Sequence, residues 1–179
     1  MRGYFAVGAE GISKPHNLGA IMRTANAFDA SYVFTIAAHH KIRKLNVADT
    51  SKTASHVPLY EFDTYEELKL PKACQLVGVE LTDEAVELPS FRHPKRAAYL
   101  FGPEWGSLSE EALAACDHVV RIPTKFCVNV SIAAALIMYD RQLSMGSFPD
   151  RPVRAGGPNF VPEESAFQKS NPIRKRRGR

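Results

Sequence analysis

Apolar and polar positions follow two rhythms along this chain. The first is a series of short, unbroken apolar runs: YFAVGA at 4–9, SYVFTIA at 31–37, CQLVGVEL at 74–81, AAYLFG at 97–102 and HVVRIP at 118–123. Runs of this length predict strands covered on both faces. VPLYEF at 57–62 predicts one more short strand. The second rhythm is helical. In PHNLGAIMRTANAF, Leu18, Ile21, Met22, Ala25 and Phe28 fall on one face, which predicts a helix over 17–28 with Asn17 as its N-cap. TYEELKL predicts a helix closed by Pro71, and SEEALAAC at 109–116 a helix capped by Ser109 with Glu110 and Glu111 in its first turn. NVSIAAALIMYDRQLSM at 129–145 predicts a long helix, apolar nearly all round, that ends before Gly146. Segment 39–56 reads as a loop with at most a helical turn. Alternation of this kind predicts an α/β fold, a mainly parallel sheet flanked by helices.

Beyond Met145 both rhythms stop. Five of the twelve prolines (Pro149, Pro152, Pro158, Pro162, Pro172) fall there with a Gly156–Gly157 pair, too little apolar material for a core. The expected division is a folded unit over 1–148 and an extended or disordered tail over 149–179. A total of 179 residues, 45% hydrophobic and 23% charged, fits one soluble globular domain. The longest apolar run, around Ile132–Tyr139, is far short of a membrane span, and the N-terminal run is too short for a signal peptide. These features predict a cytoplasmic protein without membrane contact. Cys74, Cys116 and Cys127 are odd in number and lack CxxC spacing, as expected of reduced thiols.

Charge changes this picture at one end. The net charge is +4, yet from Ser165 onward there are six basic residues (Lys169, Arg174, Lys175, Arg176, Arg177, Arg179) and no acid. The other 17 basic residues face 19 acidic ones, so residues 1–164 carry −2. A basic tail is a common footprint of a polyanion partner, most often nucleic acid, and also the composition of a solubilising end.

Several chemistries are absent from the sequence. It has no G-x-G-x-x-G after a strand, no Walker loop and no G-x-S-x-G elbow. His39 and His40 lack metal-ligand spacing, so no metal is expected. Cys127 has no histidine near it in sequence to act as base. Ligands of α/β proteins collect at the carboxyl ends of strands, and three loops stand out there. One opens the helix that carries Arg23, a cation with no acid between Glu10 and Asp29, on a polar stripe with Gly19 and Asn26. The second is FGPEWGSLSEEA, where Gly102 and Gly106 bracket Pro103-Glu104-Trp105. The third is IPTKFCVNVS, running into the last helix, where Asn129 and Ser131 are candidate caps.

Taken in order, the three loops resemble the three motifs of the SPOUT superfamily of RNA methyltransferases, in its SpoU/TrmH branch. NLGAIMRTANAF (17–28) is similar to the first motif, with Asn17 and Arg23 at its hallmark polar positions; LFGPEWGSLS (100–109) to the second, with Gly102, Glu104 and Gly106; and IP through CVNVSIAAA (122–135) to the third. The resemblance runs from about Tyr4 to Arg141. It implies an S-adenosylmethionine-dependent RNA ribose 2′-O-methyltransferase, with tRNA as the first substrate class and rRNA as the second. The implied fold has a C-terminal trefoil knot, and the implied assembly is a homodimer whose sites draw on both chains. It gives catalytic roles to Arg23, Asn17, Glu104 and Asn129. It gives cofactor contacts to Leu81, Gly102, Ile122, Pro123, Cys127, Val130 and Ser131. The chain departs from the family in two places: Cys127 stands where a serine is usual, and the loop from Pro123 to Cys127 is shorter than in many relatives. A thiol keeps the size but makes a weaker hydrogen bond. A different class of reading is a non-catalytic RNA-binding or ribosome-assembly protein that keeps the fold.

Overall fold

The computed structural model describes residues 3–43, 57–146 and 148–157. The strands are β1 (Tyr4–Glu10), β2 (Tyr32–Ile36), β3 (Leu59–Phe62), β4 (Gln75–Val79), β5 (Val86–Glu87), β6 (Arg96–Phe101) and β7 (His118–Arg121). The helices are α1 (Pro15–Ala27), α2 (His40–Arg43), α3 (Glu110–Ala115) and α4 (Val130–Met145). The seven strands form one sheet in the order β3-β2-β1-β6-β4-β7-β5, with every pairing parallel. Burial on both faces explains why the strands read as continuous apolar runs. Phe5, Val7 and Ala9 of β1 join Tyr99 and Phe101 of β6 under α1 and α4. Ala6, Phe34, Ala98 and Leu100 face the opposite side, with Leu108 and Ala112 above them.

α4 follows β7, two strands beyond β6, yet it packs against α1 beside β1. A buried polar cluster ties it down. Arg141, 3% exposed, donates to the carbonyls of Pro94 (2.7 Å) and Lys95 (3.0 Å) and to the Tyr99 hydroxyl (3.1 Å), and its guanidinium lies 5.1 Å from the centre of the Phe5 ring. The His93 ring sits between the Tyr99 hydroxyl (2.6 Å) and Asp140 (3.0 Å). A neutral imidazole satisfies every group: Tyr99 donates to Nδ1, and Nε2–H donates to the Asp140 carboxylate. Burial pushes the His93 pKa down from its ordinary value, with Asp140 pulling the other way.

Two expectations are corrected. α1 starts at Pro15, so Asn17 lies within its first turn and is not the N-cap; Lys14 holds that place with no side-chain cap of its own. Proline at the first helical position has its φ preset and lacks an N–H that would need a partner. TYEELKL makes a turn and no helix. The Glu67 carboxylate accepts the Asp63 N–H (2.8 Å), but Pro71 follows too soon for a nucleated turn to propagate. β5 and the 3-10 turn after it, Leu88–Ser90, carry too short a pattern to be anticipated. Ser109 caps α3 as expected, accepting the Ala112 N–H at 3.0 Å. In segment 39–56 the helical turn is α2, and residues 44–56 lie outside the described residues. Residues 148–157 are exposed and form no helix or strand, and most of the tail, 158–179, lies outside the described residues.

Candidate active site

At the carboxyl ends of β4, β6 and β7 the chain encloses a cavity of about 430 Å³. Val79, Leu81, Phe101, Ile122, Val130 and Ala133 give it an apolar wall, and Glu80, Glu104, Thr124, Cys127 and Asn129 add polar groups. That size and this mixture suit a small organic ligand.

One carboxylate organises the rim. Glu104 Oε1 accepts the Lys14 backbone N–H and Asn17 Nδ2, both at 2.9 Å. Its Oε2 accepts the Ser13 backbone N–H (3.0 Å) and hydroxyl (2.9 Å). Glu104 thus supplies from the β6 loop the acceptor that α1 lacks at its own N-terminus, where a negative charge is favoured. Burial alone would raise the carboxyl pKa, but the donors from Asn17, Ser13 and Lys14 together hold it below the ordinary carboxylate value.

The chain of bonds continues. Asn17, 1% exposed, accepts from Asn129 Nδ2 through its own Oδ1 at 3.1 Å. Asn129 Oδ1 in turn accepts the Ser131 N–H (2.9 Å) and hydroxyl (2.7 Å), capping α4. One connected set of hydrogen bonds therefore joins all three loops. Asn129 performs both duties open to it in the sequence, helix cap and member of the polar cluster.

The loop from Gly102 to Ser109 is held by two further acids. Glu80 Oε2 accepts the Leu108 N–H (2.7 Å) and Glu10 Oε2 the Ser109 N–H (3.0 Å). A side chain at Gly102 would meet the Leu108 backbone nitrogen at 3.0 Å, and Gly106 sits at φ +120°. The tight return of this loop requires both glycines.

Of the residues named from sequence, Leu81, Gly102, Glu104, Ile122, Cys127, Asn129 and Val130 line the cavity. Asn17 reaches it through Glu104. Pro123 is exposed and outside the wall, and the Ser131 hydroxyl turns away to Asn129. Arg23 is not brought to the cavity by its own chain. It is exposed on α1 with Gly19 and Asn26, and no carboxylate among the described residues pairs with it. Sequence reasoning missed Ser13, Lys14, Glu10 and Glu80. The two acids carried a usable signal, since each stands where an apolar strand ends at the ligand side of the sheet. Among the described residues no cluster of His, Cys, Asp and Glu could hold a metal ion, and no helix is long and apolar enough to cross a membrane.

Residues 4–139 match the sequence profile of the SpoU rRNA Methylase family. The chain belongs to that family. It is 34% identical over 155 residues to a tRNA (guanosine(18)-2′-O)-methyltransferase of Thermus thermophilus, covering 80% of this chain and 77% of that one. It is 32% identical over 139 residues to the protein of the same name from Escherichia coli, covering 74% of this chain and 60% of that one. This SpoU-family chain thus spans 60% of the length of its Escherichia coli relative. A SpoU methyltransferase from Streptomyces viridochromogenes shares the fold, with a TM-score of 0.70 at 21% identity over 79% of this chain and 60% of that one.

Proposed function

We propose that this SpoU-family chain is an S-adenosylmethionine-dependent RNA ribose 2′-O-methyltransferase that works as a homodimer. tRNA is the first substrate class and rRNA the second. One observation carries the reading: Glu104, Asn17 and Asn129 bond the three motif loops together at the rim of a strand-end cavity. The two tRNA methyltransferase relatives support the choice of tRNA. The return of α4 from the β7 side to α1 is consistent with a trefoil knot in the chain.

The cavity fits S-adenosylmethionine. Its apolar wall accommodates a nucleoside, and backbone at Leu81, Gly102 and Ile122 stands at the strand ends where such ligands are read. When bound, the cofactor supplies a methyl group on a positive sulfur, open to in-line attack by a ribose hydroxyl. The residues of this chain must align that hydroxyl and stabilise the charge that develops on it. Glu104 serves as a positioning residue: all four of its contacts are taken and its pKa is low, so it is a poor proton acceptor. Asn17 and Asn129 hold the loops in register. The Arg23 guanidinium grips the phosphate beside the target ribose and stabilises the incipient alkoxide, whose proton passes to phosphate or solvent.

Arg23 lies outside its own chain's cavity, so this role assigns it to the cavity of a second copy. α4 offers a surface for that copy, because Ile132, Leu136 and Tyr139 form an exposed apolar stripe along one helix face. Titration calorimetry should show S-adenosylmethionine binding, and its absence would sink the enzyme reading in favour of an RNA-binding protein. Mapping ribose methylations lost in a deletion strain then identifies the RNA and the nucleotide.

A further inference from the structure

Two large aromatic side chains stand in solvent on loops that line the cavity. Trp105 is 81% exposed and Phe126 is 82% exposed. Trp105 lines the cavity, and Phe126 lies between Thr124 and Cys127, which line it too. They come from different loops, one after β6 and one after β7, and both loops are fixed. Trp105 is flanked by Glu104 with its four donors and by Gly106 in its special backbone conformation. Thr124 Oγ1 donates to the Phe126 carbonyl at 2.9 Å, closing a tight turn with Lys125 and Phe126 at its exposed end.

Lysines accompany both loops. Lys14 Nζ lies 4.9 Å from the centre of the Trp105 ring, and Lys125 precedes Phe126. Exposed aromatic faces keep their hydrophobic surface available for a partner. A partner that suits flat faces interleaved with lysines is itself flat and carries negative charge. Unpaired nucleobases on a phosphate backbone meet both conditions. A second copy of the chain is matched better by the continuous, uncharged stripe on α4.

We propose that Trp105 and Phe126 form a stacking platform for unpaired bases of the substrate RNA, with Lys14 and Lys125 on adjoining phosphates. The platform holds the target nucleotide and its neighbour at the cavity mouth, where the ribose must present its hydroxyl. This rests on the reading of the cavity as an RNA methyl-transfer site.

Trp105 is the only tryptophan of the chain, so its fluorescence reports on the platform directly. The full chain is titrated with an unstructured adenine–uracil ribo-oligonucleotide and with an abasic strand of equal length. Saturable quenching by the first, and little by the second, is expected. Phe126→Leu keeps an apolar side chain and loses the ring, so it should weaken oligonucleotide binding roughly tenfold. Phe126→Tyr should bind like the unaltered protein, and both variants should keep S-adenosylmethionine affinity. Oligonucleotide binding without quenching, or unchanged affinity in Phe126→Leu, overturns the platform while leaving the enzyme reading intact. Conversion of a dimer to a monomer by Phe126→Leu in sedimentation also overturns it, because the ring is then a contact between copies. Failure of the unaltered protein to bind S-adenosylmethionine overturns the enzyme reading, and the platform's premise with it.

Discussion

Asn17 and Asn129 lie 112 positions apart in the chain and share a hydrogen bond of 3.1 Å at the rim of the cavity. Its direction is dictated from outside. Glu104 can only accept, so Asn17 must turn its NH₂ toward the carboxylate and its oxygen toward Asn129. Asn129 must then donate to Asn17, which leaves its own oxygen to cap α4. One acidic residue thereby sets the orientation of two amides and the start of a helix.

Removing the middle member of this chain of bonds should therefore be costly. Asn17→Ala leaves Glu104 and Asn129 each short of a partner and should destabilise the fold by about 1–3 kcal/mol in chemical unfolding. Asn17→Asp places a second carboxylate against Glu104 and should cost more at neutral pH. Part of that loss should return as the solution is acidified and the pair is protonated. Equal stability of Asn17→Asp and the unaltered protein at pH 7 would contradict these bond directions.

Glu104 also predicts an acid-labile site. Its pKa is held below the ordinary value of about 4.5 in the folded state. The stabilisation is thus present above that value and is lost as pH falls through the lower, folded one. S-adenosylmethionine affinity should fall in the same window, because the loops that Glu104 joins line the cavity. Glu104→Gln should lower affinity already at neutral pH, since its NH₂ would face donors from Ser13 or from Lys14 and Asn17. Calorimetry between pH 7 and pH 3.5 on both proteins measures this.

His93 predicts a different pH effect, far from the cavity mouth. Burial depresses its folded pKa below the ordinary value of 6.5, so the unfolded chain takes up the proton first. Stability is complete above that value and declines as pH drops below it, ahead of the carboxylates. A protonated ring would also turn a donor toward the Tyr99 hydroxyl. His93→Gln should flatten this part of the stability profile in thermal unfolding at pH 7.5, 6.5 and 5.5.

Thiol labelling should single out one cysteine. Burial pushes Cys116 up to about 11 and raises Cys74, whereas Cys127 is exposed on the cavity wall. A maleimide at pH 7 should modify Cys127 first, as peptide mapping would reveal. Saturating S-adenosylmethionine should slow that reaction. Labelling of Cys127 at the same rate with and without it would separate the thiol from the bound ligand.

Arg23 yields a test of shared sites. Arg23→Ala alone should abolish methylation and leave S-adenosylmethionine affinity unchanged. Glu104→Ala should be inactive through loss of loop geometry. Mixed dimers of the two contain one site with an intact cavity and an arginine from the other chain. They should recover up to about half the activity per mixed dimer, because one of its two sites is whole. No recovery on mixing would place Arg23 in the cavity of its own chain.

The strands were legible because a parallel sheet buries both faces, so β1 and β6 read as uninterrupted apolar runs. Ser109 and Asn129 were legible as caps because a cap is a local matter of side chain and neighbouring N–H. Asn17 misled for the opposite reason. Its local surroundings suit a cap, but the acceptor that settles the start of α1 is Glu104, 87 positions away. Separation in sequence also hid the partners of Glu80 and Glu10, backbone N–H groups of one loop that lie 28 and 99 positions further along the chain. The motif spacing located the rim residues, yet it could not say that Arg23 would stand apart from the other three.

The last helix has a consequence for when the protein becomes competent. Val130 and Ala133 of α4 form part of the cavity wall, and Asn129 completes the bond to Asn17. A ribosome delivers these residues after the whole sheet has been made. A nascent or truncated chain that stops before Asn129 therefore has its strands but no closed cavity. Ligand binding therefore waits on α4, the last helix to leave the ribosome among those that build the wall.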